Sequence, residues 1–361
     1  MAKSPEEALR RISATSGNVA IAIPDHTREI DVSRALRALE TWLKDANVTA
    51  VVVGLGLHRP LSKEEIITLT GETSWRVINH NPDTCSPITT IRGVPIEVNP
   101  VLAEADTIVT VGKIELHQYA GFSGGYKGTI IGCGGRQTIA ALHHRDIVCD
   151  ESVRVGRLSG NLFREIIDEA GLALSPTIAL QQVGSIGWCA GDPALMTAFA
   201  CEELASWENV EETYSCAIIR TPPSKQINFY QASRGATYLA LSENPPLTDG
   251  AHIIIDASCT EGIGSGDGEK AFAEVMQRSA PHFDSLLTGT PPSGGGTQRA
   301  IMIAKLLQKY RLTVANCLNP APLRTIGIEA TSQTPEALAS PKALVVDNPF
   351  ARLPQLKRSF R

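Results

Sequence analysis

The first two thirds of the chain alternate short apolar runs with helical patterns of apolar and polar residues. Residues Ser33–Asp45 and Ser62–Thr70 have helical spacing, and Ser62 with Glu65 matches a capping box. The apolar runs before, between and after these helices predict three strands, at Asn18–Pro24, Val48–Leu55 and Thr107–Gly112. Such alternation predicts crossover units on a mainly parallel sheet.

A second set of apolar runs follows a polar, acidic stretch at residues 201–212, which we interpret as a helix leading to a domain boundary. We predict a helix at Gln298–Lys309 and strands at Cys216–Arg220, His252–Asp256, Leu312–Asn316 and Ala343–Val346. The expected fold is two α/β domains with largely parallel sheets and an active site in the cleft between them. The N-terminal domain would cover residues 1–208, joined by the tail 346–361, and the C-terminal domain residues 209–345.

Composition narrows the classes of function. The net charge of −5, with basic residues scattered along the chain, disfavours nucleic acid or an anionic membrane as a partner. No apolar run reaches the roughly 18 residues of a membrane span, and residues 1–13 are typical of an amphipathic helix rather than a signal peptide. The eight cysteines form no Cys-x-x-Cys pair, which indicates reduced thiols. We therefore expect a cytoplasmic protein that acts on a small molecule.

Polar motifs begin where each of the first three predicted strands ends. They are Asp25-His-Thr-Arg28, Gly56-Leu-His-Arg-Pro60 and the segment 115–135. In open parallel sheets, ligands bind beyond the carboxyl ends of the strands. One shared site is therefore expected, although polar loops alone would also explain each single motif.

The third motif is rich in glycine and contains a lysine. It includes Ser123-Gly124-Gly125 and Lys127, but it matches neither a Walker loop nor a dinucleotide fingerprint. Its glycines let the backbone approach a ligand closely, and Lys127 is expected to be exposed enough for a covalent bond. Together with His58 and His117 in loops, and His143 beside His144 on a helix predicted from near Thr138, this set would support metal-assisted proton chemistry.

Five motifs in order resemble the nickel-dependent lactate racemase family. They are Asp25-x-Thr-Arg28, Gly56-x-His-Arg-Pro60, His117-x-x-Ala-Gly-Phe-Ser-Gly-Gly-x-Lys127, Thr138-Ile-x-x-x-His143 and Asn228-x-Tyr-Gln231. The resemblance spans roughly residues 25–235, and its glycine–lysine block is highly specific.

This resemblance implies a nickel-pincer nucleotide covalently attached at Lys127. His143 would be the protein ligand of Ni(II), in a near-planar site of the kind this ion favours. The paired acid/base residues would be His58 and His117. Further contacts with the cofactor are expected from Asp25, Thr27, Ser123, Gly124 and Gly125, and contacts with the substrate from Arg28, Tyr230, Gln231 and Arg234.

The implied reaction is racemisation or epimerisation of a 2-hydroxy acid. Its carbinol hydrogen is too weakly acidic for a histidine with a pKa of about 6.5 to remove, so it would leave as hydride to the cofactor. One histidine would take the hydroxyl proton, and the 2-keto acid would then receive hydride on its other face. Enzymes that assemble the cofactor are implied partners, and the chain would be a monomer or homodimer.

Two departures from the family pattern bear on the substrate. Arg234 stands where the lactate enzymes have a lysine, and Thr297, after Gly294–Gly296, replaces an aromatic residue before a helical glutamine. Both changes favour a larger or more polar substrate than lactate. Two alternatives stay open: a pyridoxal-phosphate enzyme with a Schiff base at Lys127, and a non-catalytic nucleotide-binding homologue.

Overall fold

The computed structural model describes residues 1–204, 208–288, 296–350 and 352–356. It consists of two compact units. The first comprises Met1–Glu115, Tyr119–His144 and the described part of Leu158–Ser206. The second comprises Leu116–Gln118, Arg145–Arg157 and the described part of Trp207–Arg361. Each unit contains its own central sheet of largely parallel strands.

The strands of the described ranges are β1 (Asn18–Pro24), β2 (Asn47–Gly54), β3 (Val77–Asn79), β4 (Ser86–Ile91), β5 (Val94–Val98), β6 (Thr107–Ile114), β7 (Leu116–His117), β8 (Gly121–Phe122), β9 (Thr177–Val183), β10 (Gly187–Gly191), β11 (Glu208–Val210), β12 (Tyr214–Arg220), β13 (Leu247–Asp256), β14 (Arg311–Ala315), β15 (Glu329–Ala330), β16 (Leu344–Asp347) and β17 (Pro354–Leu356). The helices are α1 (Pro5–Leu9), α2 (Val32–Trp42), α3 (Lys63–Thr70), α4 (Pro100–Ala103), α5 (Arg136–Leu142), α6 (Arg145–Val148), α7 (Leu162–Leu172), α8 (Pro193–Leu204), α9 (Phe229–Ala240), α10 (Asp267–Ser279), α11 (Ser285–Thr288), α12 (Thr297–Leu307), α13 (Ala321–Thr325) and α14 (Pro335–Leu338). No helix in these ranges is long and apolar enough to cross a bilayer.

The sheet of the first unit has the strand order β10-β9-β6-β1-β2-β3, with only the edge strand β10 antiparallel to its neighbour. Strand β1 is central: Ile21 pairs with Val51 on one side and with Val109 on the other. Its residues from Val19 to Ile23 are all buried, which explains the unbroken apolar run in the sequence. The carboxyl ends of β6, β1 and β2 therefore lie side by side.

The sheet of the second unit has the order β15-β14-β13-β12-β16, and all its strand pairs are parallel. Its core includes Cys216, Ile254 and Ala315 from three adjacent strands. The prediction of two α/β domains with largely parallel sheets is confirmed. All eight cysteines are unpaired, and six of them are buried.

Several local expectations differ from the structure. The N-terminal helix covers only α1 rather than residues 1–13, and it begins at Pro5 because Ser4 is its N-cap. Helix α5 ends at Leu142, so His143 is its C-cap rather than a helical residue, and His144 lies beyond the helix.

The predicted capping box of α3 is confirmed.

The described part of the tail, residues 346–350 and 352–356, falls in the second unit, whereas the sequence favoured the first. Strand β17 pairs with β11, and β16 is the edge strand next to β12, so backbone hydrogen bonds attach the tail to this unit. Residues 205–207, at the end of the predicted N-terminal domain, lie outside the described residues.

Candidate active site

Asp25 and His58 form a hydrogen-bonded pair beyond the ends of β1 and β2. Asp25 is buried, and its Oδ2 lies 2.7 Å from Nδ1 of His58, while Thr27 donates from its hydroxyl to Oδ1 at 2.6 Å. Burial alone would raise the pKa of Asp25, but the hydrogen bonds from His58 and Thr27 outweigh it and hold the pKa below its usual range. An ionised carboxylate only accepts, so Nδ1 of His58 donates to Asp25, and Nε2 is the ring nitrogen that this hydrogen bond does not use.

Glu115 follows β6 and forms a salt bridge with Arg28 of the first strand-end motif. Its carboxylate lies 3.0 Å from Nη1 of Arg28 and 3.6 Å from Nζ of Lys113. The hydroxyl of Ser123 donates to the carbonyl of Lys113 at 2.7 Å and accepts from the backbone N–H of Glu115 at 3.0 Å. Ser123 therefore closes this loop in addition to its expected contact with the cofactor.

Gly124 and Gly125 form a turn that only glycine fits. Both have positive φ angles, of 83° and 60°. A Cβ at Gly124 would lie 2.5 Å from Cγ1 of Ile114, and a Cβ at Gly125 would lie 2.5 Å from Nη2 of Arg164. The turn thus packs directly on Ile114 and Arg164, with no space for a side chain at either position.

Arg164 is a buried side chain that contacts this glycine turn. It is 1% exposed, bonds Oδ2 of Asp168 at 2.9 Å and donates to the carbonyl of Gly124 at 3.4 Å. Its Nη2 and Oδ1 of Asp168 are buried without a hydrogen-bond partner among the described residues. Arg164 was not among the residues predicted from the sequence, although a lone arginine on the apolar side of α7 is a signal that could have indicated it.

We expect Arg164→Met to lower the free energy of unfolding by about 1–3 kcal/mol, because it removes the ion-pair partner of Asp168, whose carboxylate is half-buried. Arg92→Met is the matched control, since Arg92 pairs with Glu165 and Glu169 of the same helix at the surface and should cost at most about 1 kcal/mol. Urea denaturation measures both. Equal losses would contradict a supporting role for Arg164.

Lys127 lies at the end of the glycine turn and precedes a single π-helical turn at Gly128–Gly132. The side chain is half-buried, and the sequence predicted it to be exposed enough for a covalent bond. Burial and the nearby Arg28 cation lower the pKa of Lys127 to about 7, although Glu115 acts in the opposite direction. A large fraction of the amine is therefore unprotonated at neutral pH, the form that can make a covalent bond.

His143 is held as a neutral ring between two aromatic side chains. The centroids of Tyr119 and Phe163 lie 5.4 and 5.3 Å from its own, both edge-on. Burial lowers the pKa of His143 to about 4, and the charge of Lys127 acts in the same direction. Its Nδ1 lies 2.8 Å from the carbonyl oxygen of Ile139, which can only accept. Nδ1 therefore carries the proton, and Nε2 has the lone pair that a metal needs.

A buried histidine, His80, and a buried asparagine, Asn99, hold the segment that leads into α5. Nε2 of His80 lies 3.0 Å from the carbonyl of Gly134, and Nδ1 lies 3.3 Å from the amide of Asn99. Burial lowers the pKa of His80, so the ring is neutral and donates to Gly134. These two residues were not singled out from the sequence.

The remaining predicted site residues belong to the second unit. His117 ends β7, and Tyr230, Gln231 and Arg234 lie on α9, whose N-cap Asn228 accepts a hydrogen bond from the N–H of Gln231 at 2.9 Å. The Arg234 guanidinium lies 5.4 Å from the centre of the Tyr230 ring. Oε1 of Gln231 and Nε of Arg234 are buried without a hydrogen-bond partner in the described part of the chain.

Two further sequence predictions concern a metal and a loop. Within the described ranges, no three His, Cys, Asp or Glu side chains cluster as a metal site. The arrangement implied by the resemblance needs one protein donor, His143. Thr297 is buried as the first residue of α12, whereas Gly294 and Gly295 lie outside the described residues.

Part of the chain is similar in sequence to known proteins. Residues 3–156 match the family described as the lactate racemase N-terminal domain. The lactate racemase of Lactiplantibacillus plantarum is 29% identical over 279 residues, and that of Thermoanaerobacterium thermosaccharolyticum is 27% identical over 277. Each match covers 72% of this chain and 64% of the relative, so the chain spans less than two thirds of their length.

Solved structures share the fold. The lactate racemase apoprotein from T. thermosaccharolyticum superposes with a TM-score of 0.82 at 21% identity, covering 98% of this chain and 93% of that one. A protein from Thermotoga maritima superposes with a TM-score of 0.70 at 15% identity, covering 98% and 97%. The chain therefore has the same fold as the lactate racemase apoprotein, and its residues 3–156 are similar to the lactate racemase N-terminal domain.

Proposed function

We propose that the chain racemises or epimerises 2-hydroxy acids with a nickel-pincer nucleotide attached at Lys127. The observation that carries the proposal is the pairing of a half-buried amine, with its pKa lowered to about 7, and a neutral His143 whose Nε2 lone pair is available. A pyridoxal-phosphate enzyme would use the lysine but would leave this imidazole without a role. When bound, the nickel-pincer nucleotide would supply a reversible hydride acceptor, which no side chain provides.

His58 is proposed as one acid/base residue. The Asp25 carboxylate fixes the tautomer and stabilises the imidazolium that forms when Nε2 takes the proton of the substrate hydroxyl. His117 is proposed to do the same for the other stereoisomer. The intermediate would be the 2-keto acid, which accepts hydride on either face.

Orphaned polar atoms on α9 match the two functional groups of a 2-hydroxy acid. Nε of Arg234 is a buried donor suited to a carboxylate, and Oε1 of Gln231 is a buried acceptor suited to a hydroxyl. Tyr230 holds the guanidinium by a cation–π contact, which reduces the entropy lost on binding. We propose Arg28, whose Nη1 is bound to Glu115 in this structure, as a further contact for the substrate.

The proposed substrate is larger or more polar than lactate. Arg234 offers a planar fork where a lysine would offer a single point charge, and Thr297 leaves more room than an aromatic residue. A bidentate contact between arginine and a carboxylate contributes about 1.5–3 kcal/mol. Both features favour an acid with a longer or polar side chain.

We expect Arg234→Lys to lower kcat/KM for the preferred acid by tenfold or more, about 1.4 kcal/mol, because the charge stays and the fork is lost. Enzyme loaded by the cofactor-assembly enzymes is incubated with single enantiomers of lactate, 2-hydroxybutyrate, malate, phenyllactate, glycerate and sugar acids, followed by chiral chromatography. Turnover of none of them by cofactor-loaded protein would favour a non-catalytic nucleotide-binding homologue. Lactate as the fastest substrate, with no effect of Arg234→Lys, would contradict the substrate proposal.

A further inference from the structure

A buried arginine of the second unit connects the His117 segment with helix α9. Arg299 lies in the first turn of α12 and is 1% exposed. Its Nη1 donates to Oε1 of Gln118, the residue after His117, at 2.9 Å. The same nitrogen donates to Oγ1 of Thr237 at 3.0 Å, and Nη2 donates to Oγ of Ser233 at 2.9 Å. One guanidinium thus joins three elements.

The two hydroxyls transmit this contact to the residues proposed to bind the substrate. Oγ of Ser233 donates to the carbonyl of Tyr230 at 3.2 Å, and Oγ1 of Thr237 donates to the carbonyl of Arg234 at 3.0 Å. Ser233 and Thr237 are fully buried, so these hydrogen bonds are shielded from water. Arg299 therefore fixes the turn of α9 that presents Tyr230, Gln231 and Arg234.

We propose that Arg299, through Gln118, is the positioning residue that holds His117 in register with this turn of α9. The inference rests on the proposed function, because His117 needs a fixed distance from the substrate only if it moves the proton. A planar guanidinium suits the role, since its rigid fork can hold an amide oxygen and two hydroxyls at once. An ammonium group has neither the reach nor the geometry to replace it.

The kinetic test uses Gln118→Ala, which removes the link to His117 and leaves Arg299 in place. We expect kcat to fall at least tenfold with KM within about twofold, because orientation of the base matters more for the chemical step than for binding. Arg299→Met should lower kcat similarly, and the double variant should be no worse than the more impaired single variant. Arg324→Met is the control, since Arg324 donates to the carbonyl of Ala330 elsewhere in the unit, and it should keep wild-type kinetics.

A second readout works even if no substrate turns over. In protein labelled with ¹⁵N at histidine, the His117 ring signal is assigned by its loss in His117→Gln. Gln118→Ala should broaden or shift this signal, whereas Arg324→Met should not. An unchanged His117 signal in Gln118→Ala would overturn the positioning role of Arg299. So would a kcat of Gln118→Ala equal to that of a wild type that turns substrate over. A shifted signal in a protein without racemase activity would keep the contact and refute the proposed function instead.

Discussion

Protein with Lys127→Ala, produced alongside the cofactor-assembly enzymes, is expected to have the mass of the bare chain. Wild-type protein should be heavier by the covalent nucleotide, and racemisation by the variant should fall at least about a thousandfold because the hydride acceptor is lost. Intact-mass spectrometry, followed by a peptide map across residues 117–136, measures the modification. The physical reason is the lowered pKa of Lys127, which supplies a reactive amine at neutral pH.

Two further variants test whether the adduct requires the amine of Lys127 itself. Lys127→Arg keeps a positive charge beside Glu115 but has no reactive amine, so it should also lack the adduct. Lys113→Ala removes the other lysine that acts on Glu115 and should keep the adduct. An unmodified peptide containing Lys127 in an active preparation would contradict attachment at this residue.

His143→Ala is expected to lose at least nine tenths of the bound nickel while the protein stays folded. The neutral ring has its Nε2 lone pair available, and the resemblance implies no second protein donor. Plasma mass spectrometry gives the nickel content per chain, and circular dichroism reports folding. The adduct at Lys127 should persist by intact mass, so that loss of metal is separated from loss of the nucleotide.

His144→Ala is the matched control, because His144 is the next residue but lies exposed beyond the end of α5. It should keep its nickel and most of its racemase activity. Equal loss of nickel from the two variants would argue against His143 as the ligand.

The central strands and the strand-end motifs could be predicted from the sequence because local patterns encode them. An unbroken apolar run predicted β1 with its observed bounds, and Ser62 with Glu65 predicted the start of α3. The positions of Asp25, His58 and Lys127 followed from the rule that parallel strands end at one edge of a sheet. Each of these inferences needs only a few neighbouring residues.

Long-range contacts could not be predicted in the same way. Arg299 and Gln118 are far apart in the chain, and no periodicity marks a buried guanidinium as part of a site. The lowered pKa of Lys127 depends on burial by distant segments and on the Arg28 cation from another loop, and no local sequence pattern reports either of them. Helix α5 was predicted to run through His143, whereas it ends at Leu142 and turns the imidazole back onto the carbonyl of Ile139.

The most direct test of the central claim follows the hydrogen on the carbinol carbon. A single enantiomer of the preferred 2-hydroxy acid, deuterated at that carbon, is incubated with the loaded enzyme in ordinary water. Chiral chromatography with mass detection then measures deuterium in the product of opposite configuration. Hydride transfer predicts that most of the deuterium is retained, together with a primary isotope effect on the rate. Product that has exchanged its deuterium for solvent hydrogen would show proton abstraction and contradict the account.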